Sequence, residues 1–165
     1  MHIELTKTII SSVDEIVHSY FPLDYKVTPG AHFFGEEEDL DRRVDIGITA
    51  IIGFSGGLDG GLHLSAPIRT AMDVTGAFSD GIFEESDFSN MSNVITDAYG
   101  ELANIIAGGV KRRLGGGLQL QQDINLTPPI VVWGQDYRMA YKSSTRVTKQ
   151  YFEMHGGIFC VTVYY

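Results

Sequence analysis

The 165-residue chain holds one cysteine, one tryptophan and five prolines, and sets only 12 Lys and Arg against 21 Asp and Glu. Each shortage excludes something. Cys160 alone cannot form an intramolecular disulfide or a multi-cysteine zinc or iron–sulfur cage, and a reducing, cytoplasmic setting is the simplest expectation. A net charge of −9 argues against nucleic acid and anionic membrane surfaces, because such affinity comes mainly from Lys and Arg displacing counterions. No long apolar run is present. The longest charge-free apolar stretch, residues 46–58, is broken by Gly47, Gly53, Ser55, Gly56 and Gly57 and is too short to cross a bilayer. Glu4, Asp14 and Glu15 interrupt the N-terminal apolar pattern, so it lacks the core of a signal peptide. The sequons at Asn90 and Asn125 then carry no weight. His2, His18, His32, His63 and His155 show no metal-ligand spacing, and no nucleophile elbow, Walker A loop or dinucleotide fingerprint occurs. No cofactor or metal on this chain is expected.

With 44% hydrophobic residues, the composition is that of a globular protein with a real core, and one domain over residues 1–165 is expected. Ile3, Ile9, Ile10, Val13, Ile16, Val17 and Tyr20 recur at helical spacing over residues 4–20. An extended piece (25–34) and the acidic run 36–43, read as a solvated loop, follow. Residues 44–54 and 60–65 read as a hairpin whose positive-φ positions are supplied by glycine. Pro67 suits a first helical turn, predicting a short helix over 66–75. Asp87 or Ser89 can cap a long helix to about Leu114, with Lys111, Arg112 and Arg113 in its last turns and Gly115-Gly116-Gly117 stopping it. Beyond it the chain reads as strands at 118–126, 130–133, 138–147, 151–155 and 158–165, the last with one face buried. The order predicts an α+β fold: two layers, an antiparallel β-sheet with about three helices packed on it.

The long helix carries the chemistry. Ile95, Ala98, Leu102, Ile106, Val110 and Arg113 share one arc, expected to face the sheet. Asp97, Glu101, Asn104 and Gly108, at spacings of four, three and four, share another. Asparagine is a mediocre helix former, and a mid-helix glycine costs about 1 kcal/mol relative to alanine. Gly100, Ala103 and Ala107 beside the polar pair read as small residues that let another molecule's backbone approach. Solvated helix surface is the plain alternative when these residues are read alone.

The stretch Asp97-Ala98-Tyr99-Gly100-Glu101-Leu102-Ala103-Asn104-Ile105-Ile106-Ala107-Gly108-Gly109-Val110-Lys111 resembles the signature helix of the CheC/CheX/FliY family of chemotaxis phosphatases. That signature is Asp or Ser, three residues, Glu, two residues, Asn, and a later proline. The Gly-rich hairpin at 51–65 and Pro129-Ile130-Val131-Val132-Trp133-Gly134 are similar to further parts of the family pattern. From Asn104 to Pro129 there are 24 intervening residues, or 23 to Pro128, a few more than the family spacing, which leaves the strand register open.

The resemblance implies hydrolysis of the phosphoaspartate of a CheY-type response regulator. Asn104 would position water, Glu101 would grip the regulator's active-site lysine, and Asp97 would support. A divalent metal such as Mg²⁺ would belong to the regulator's phosphorylation site. On the first helix Ser11, Glu15 and His18 stand at motif spacing, with His18 where the family has Asn. They form a weak candidate second site, with plain helix surface as the alternative. One intact motif resembles the CheX-like type, which implies a homodimer joined at sheet edges. A non-catalytic receiver-docking or scaffold module in a sensory or flagellar assembly is the competing function.

Overall fold

A computed structural model describes residues 2–36, 47–81, 83, 88–117, 123–134, 145–155 and 157–165. Among these residues three helices and seven strands follow one another: α1 (His2–Tyr20), β1 (Val27–Glu36), β2 (Ile48–Gly56), β3 (Gly60–Ala66), α2 (Ile68–Ser79), α3 (Phe88–Gly117), β4 (Ile124–Leu126), β5 (Ile130–Trp133), β6 (Arg146–Met154) and β7 (Gly157–Tyr164). The strands form one antiparallel sheet in the order β1-β6-β7-β3-β2-β4, with β5 also pairing β2. The β2–β3 hairpin turns through Gly56 (φ 93°) and Gly60 (φ 155°), where glycine alone avoids a Cβ penalty. This is the α+β arrangement that the element order predicts.

The core lies between the helices and one face of the sheet. Leu5, Ile9, Val13 and Ile16 of α1, Met72 and Val74 of α2, and Ile95, Tyr99, Leu102, Ile106 and Val110 of α3 are buried against Ile48, Ala50, Ile52, Leu62, Leu64, Phe152, Val161 and Val163. Register explains the set, since Ala50↔Leu64 and Leu64↔Val161 are direct partners and so share a face. Tyr99 is fully buried, and its hydroxyl donates to the Leu64 carbonyl at 3.1 Å. Tyr99→Phe is therefore expected to destabilise the fold by about 1 kcal/mol in urea titrations.

Several elements depart from expectation. The long helix continues to Gly117, so the glycine triplet ends inside it, and the three basic residues no longer occupy its last turn. The helix begins at Phe88, which places Ser89 within it. Segments 146–147 and 151–154 belong to a single strand, β6. Its polar Lys149-Gln150 pair is compatible with pairing because the Gln150 amide donates to the Gly30 and Tyr151 carbonyls, at 3.1 and 2.7 Å. The last strand is buried on both faces, since Cys160 and Thr162 are as enclosed as Phe159 and Val161. The short helix spans Ile68–Ser79 with Pro67 as its N-cap residue. The acidic run beyond Glu36, the candidate cap Asp87 and the strand segments 118–122 and 138–144 lie outside the described residues.

Candidate functional site

α3 presents three sides. Its inner arc faces the sheet. One flank meets β5 at Gly100, where an added Cβ would stand 3.2 Å from Val131 Cγ2 and 3.5 Å from Pro129. The other flank meets α1 at Gly109, where a Cβ would come within 3.1 Å of Ser12 Cβ and Oγ. Ala103 and Ala107 are fully buried. Gly100, Ala103 and Ala107 therefore serve internal packing, and the expectation that they leave room for another molecule is corrected. Small side chains at a helix crossing lower the interaxial distance, and that is their work here.

Asp97, Glu101, Asn104 and Gly108 remain on the outer side. Asp97 and Glu101 are exposed, and Asn104 and Gly108 are half-buried. Among the described residues none of the Asp97, Glu101 and Asn104 side chains has a hydrogen-bond or ion-pair partner. The resulting surface combines two carboxylates, which attract a cation, with a neutral carboxamide that can both accept and donate. Pro129, the later proline of the signature, packs beside Gly100 and so borders this surface.

The similar stripe on α1 is arranged differently. Arg112 Nη2 donates to Glu15 Oε1 and Oε2 at 2.9 and 2.8 Å, and Arg113 Nη2 donates to Oε2 at 2.5 Å. The Arg113 hydrogen bond is the chief reason the Glu15 carboxyl is held below its usual pKa, with both guanidinium charges adding to it. His18 Nδ1 lies 2.8 Å from the Asp14 carbonyl, within its own helix. Arg112 and Arg113, expected to favour the helix end, instead join α3 to α1.

Among the described residues no group of three or more His, Cys, Asp or Glu side chains could hold a metal ion, and no helix is long and apolar enough to cross a membrane. Burial raises the Cys160 thiol to about 11, far from the range of a reactive thiolate.

Fold and stripe together define a class: helix-on-sheet domains carrying the acid–amide motif of the CheC/CheX/FliY chemotaxis phosphatases. The chain belongs to the CheX family within it, for the family model described as chemotaxis phosphatase CheX matches residues 48–153, well over half its length. The match contains the α3 motif and leaves out α1. A relative named CheY-P phosphatase CheX, from Thermotoga maritima, is 25% identical over 140 residues, covering 84% of this chain and 81% of that protein. Two crystal structures share the fold. Chemotaxis protein CheX from Desulfovibrio desulfuricans superposes with a TM-score of 0.76 at 18% identity, covering 97% of each chain. A CheX–CheY–BeF3–Mg²⁺ complex from Borrelia burgdorferi gives 0.73 at 17% identity, covering 95% of this chain and 94% of that one.

Proposed function

We propose that this chain hydrolyses the phosphoaspartate of a CheY-type response regulator, with Asn104 positioning the attacking water and Glu101 pairing with the regulator's active-site lysine. The observation that carries the reading is that Glu101 and Asn104 stand without partners among the described residues, while the acid of the neighbouring stripe, Glu15, is engaged by two arginines. Water attacks phosphorus, the acyl P–O bond breaks, and the products are the regulator's aspartate and inorganic phosphate. Phosphoryl transfer of this kind depends on positioning and electrostatics. The Asn104 carboxamide accepts from water and donates to a phosphoryl oxygen without adding charge. Glu101 would repel a phosphoryl group and suits a lysine instead. Asp97, one turn earlier, adds negative charge to that contact and orients rather than reacts.

The name of the Thermotoga protein and the partners in the Borrelia complex support the same substrate class. The divalent ion belongs to the regulator, and this chain contributes no cofactor. Glu15 is assigned to holding α1 on α3, His18 contacts only Asp14 of its own helix among the described residues, and both are left out of the catalytic set. The protein acts in the cytoplasm, where receiver domains are, as a homodimer joined through the sheet edges that β1 and β4–β5 leave.

The test mixes the purified chain with CheY-type receivers charged by acetyl phosphate. Phosphate loss faster than from a receiver alone is expected. Binding without acceleration across the receivers tried would replace the enzyme with a docking or scaffold module.

A further inference from the structure

Three glycines lie in the body of α3, where glycine lowers helix stability relative to alanine. Two are explained inside the chain. Gly100 admits Val131 and Pro129, and Gly109 admits Ser12, each at a distance where a Cβ would crowd its neighbour. Gly108 is different. Among the described residues, a Cβ there meets no heavy atom within 4 Å. Nor does its backbone require glycine, because among the described residues the positive-φ glycines are Gly56, Gly60 and Gly134. Neither packing nor conformation offsets the helix stability lost at this position.

Position 108 lies on the stripe of Asp97, Glu101 and Asn104, about 6 Å along the helix axis from Asn104 at the usual rise per residue. Asparagine is short. Its carboxamide reaches an atom bound to a partner only if the partner's backbone closes on the helix itself, and a side chain standing one turn away would hold that backbone off. We infer that Gly108 is a docking determinant for the phosphorylated regulator: it keeps α3 bare beside Asn104 so that the receiver's main chain lies against the helix while the amide enters the phosphorylation site. The inference rests on the phosphatase reading above and adds a residue that sets how closely the two proteins approach. Its work is in binding, so it belongs in KM rather than kcat where substrate dissociation outpaces chemistry.

Gly108→Ala, Gly108→Leu and Asn104→Ala separate the possibilities. Each is followed by thermal melting, by steady-state turnover of an acetyl-phosphate-charged receiver, and by titration with the same receiver charged with beryllium fluoride. Gly108→Ala is expected to raise Tm by about 2–4 °C, as an unstrained helix interior should, while weakening receiver binding several-fold. Gly108→Leu is expected to raise KM and Kd at least tenfold with kcat within twofold of wild type. A fall in Tm for Gly108→Ala would show that the glycine serves the fold and would overturn the inference. So would unchanged KM and Kd in Gly108→Leu. If Asn104→Ala turns over like wild type, the phosphatase assignment itself fails, an outcome distinct from failure at Gly108 alone.

Discussion

Asn104→Ala is expected to slow receiver dephosphorylation by at least about 10²-fold while leaving the protein at least as stable as wild type. Removing one oriented hydrogen-bonding group from a reacting centre typically costs about 10²–10³ in rate. The fold loses nothing with it, because the Asn104 side chain has no partner among the described residues. Alanine is the better helix former by up to about 0.7 kcal/mol. Asn104→Asp keeps the size and adds a negative charge toward the phosphoryl group, and its rate is expected to fall as far. Glu15→Gln serves as the control: it weakens the contacts to Arg112 and Arg113 and is expected to leave the rate within twofold. Single-turnover phosphate release with the charged receiver in excess metal measures all three. An Asn104→Ala rate equal to wild type would remove the amide from the mechanism.

Much of the architecture was legible because the elements carry regular patterns. The α1 and α3 periodicities, the Gly-bounded hairpin and the antiparallel sheet all follow from apolar spacing, turn chemistry and element order, whereas the strand order does not. The errors have local causes. Lys149-Gln150 looks like a break in β6 until Gln150 is seen to donate to carbonyls of β1 and its own strand. Cys160 and Thr162 alternate with large apolar residues and so imitate an exposed face, although they are 3% and 2% exposed. One strand's pattern cannot reveal whether its second face is covered.

The site divides in the same way. Asp97, Glu101 and Asn104 were readable as a stripe from spacing alone, because helical geometry fixes which residues share a face. The roles of the small residues were not, since glycine and alanine look alike whether they admit a neighbour in the same chain or a separate molecule. Only the positions of Val131, Pro129 and Ser12 reassign Gly100, account for Gly109 and set both apart from Gly108. Likewise Glu15 and Glu101 have similar surroundings in sequence. What separates them is that Arg112 and Arg113 reach across from α3 to Glu15, a contact between residues about a hundred positions apart.

Acid is expected to destabilise this protein through His63. The imidazole lies on the sheet face turned from the helices, with Ile51 and Thr162 as its register neighbours and the Tyr164 ring at 4.7 Å. It is only 3% exposed. Burial lowers its pKa from 6.5 to about 4, and the nearby Lys149 charge acts in the same direction. The folded state therefore keeps His63 neutral at pH values where the unfolded chain binds a proton. The unfolded state binds more protons throughout that window, so stability falls as pH drops below about 6.5 and levels off below about 4. A gap of about 2.5 pH units corresponds to roughly 3 kcal/mol, most of it lost by pH 4.5. Glu15 acts in a different range. Its lowered pKa makes its contribution full above 4.5 and lost only as pH falls further. Urea titrations from pH 7.5 to 4.5 are expected to show the loss in wild type and to show most of it abolished in His63→Gln, whatever that variant's stability at pH 7.5. An equal loss in both would assign the acid sensitivity to other groups.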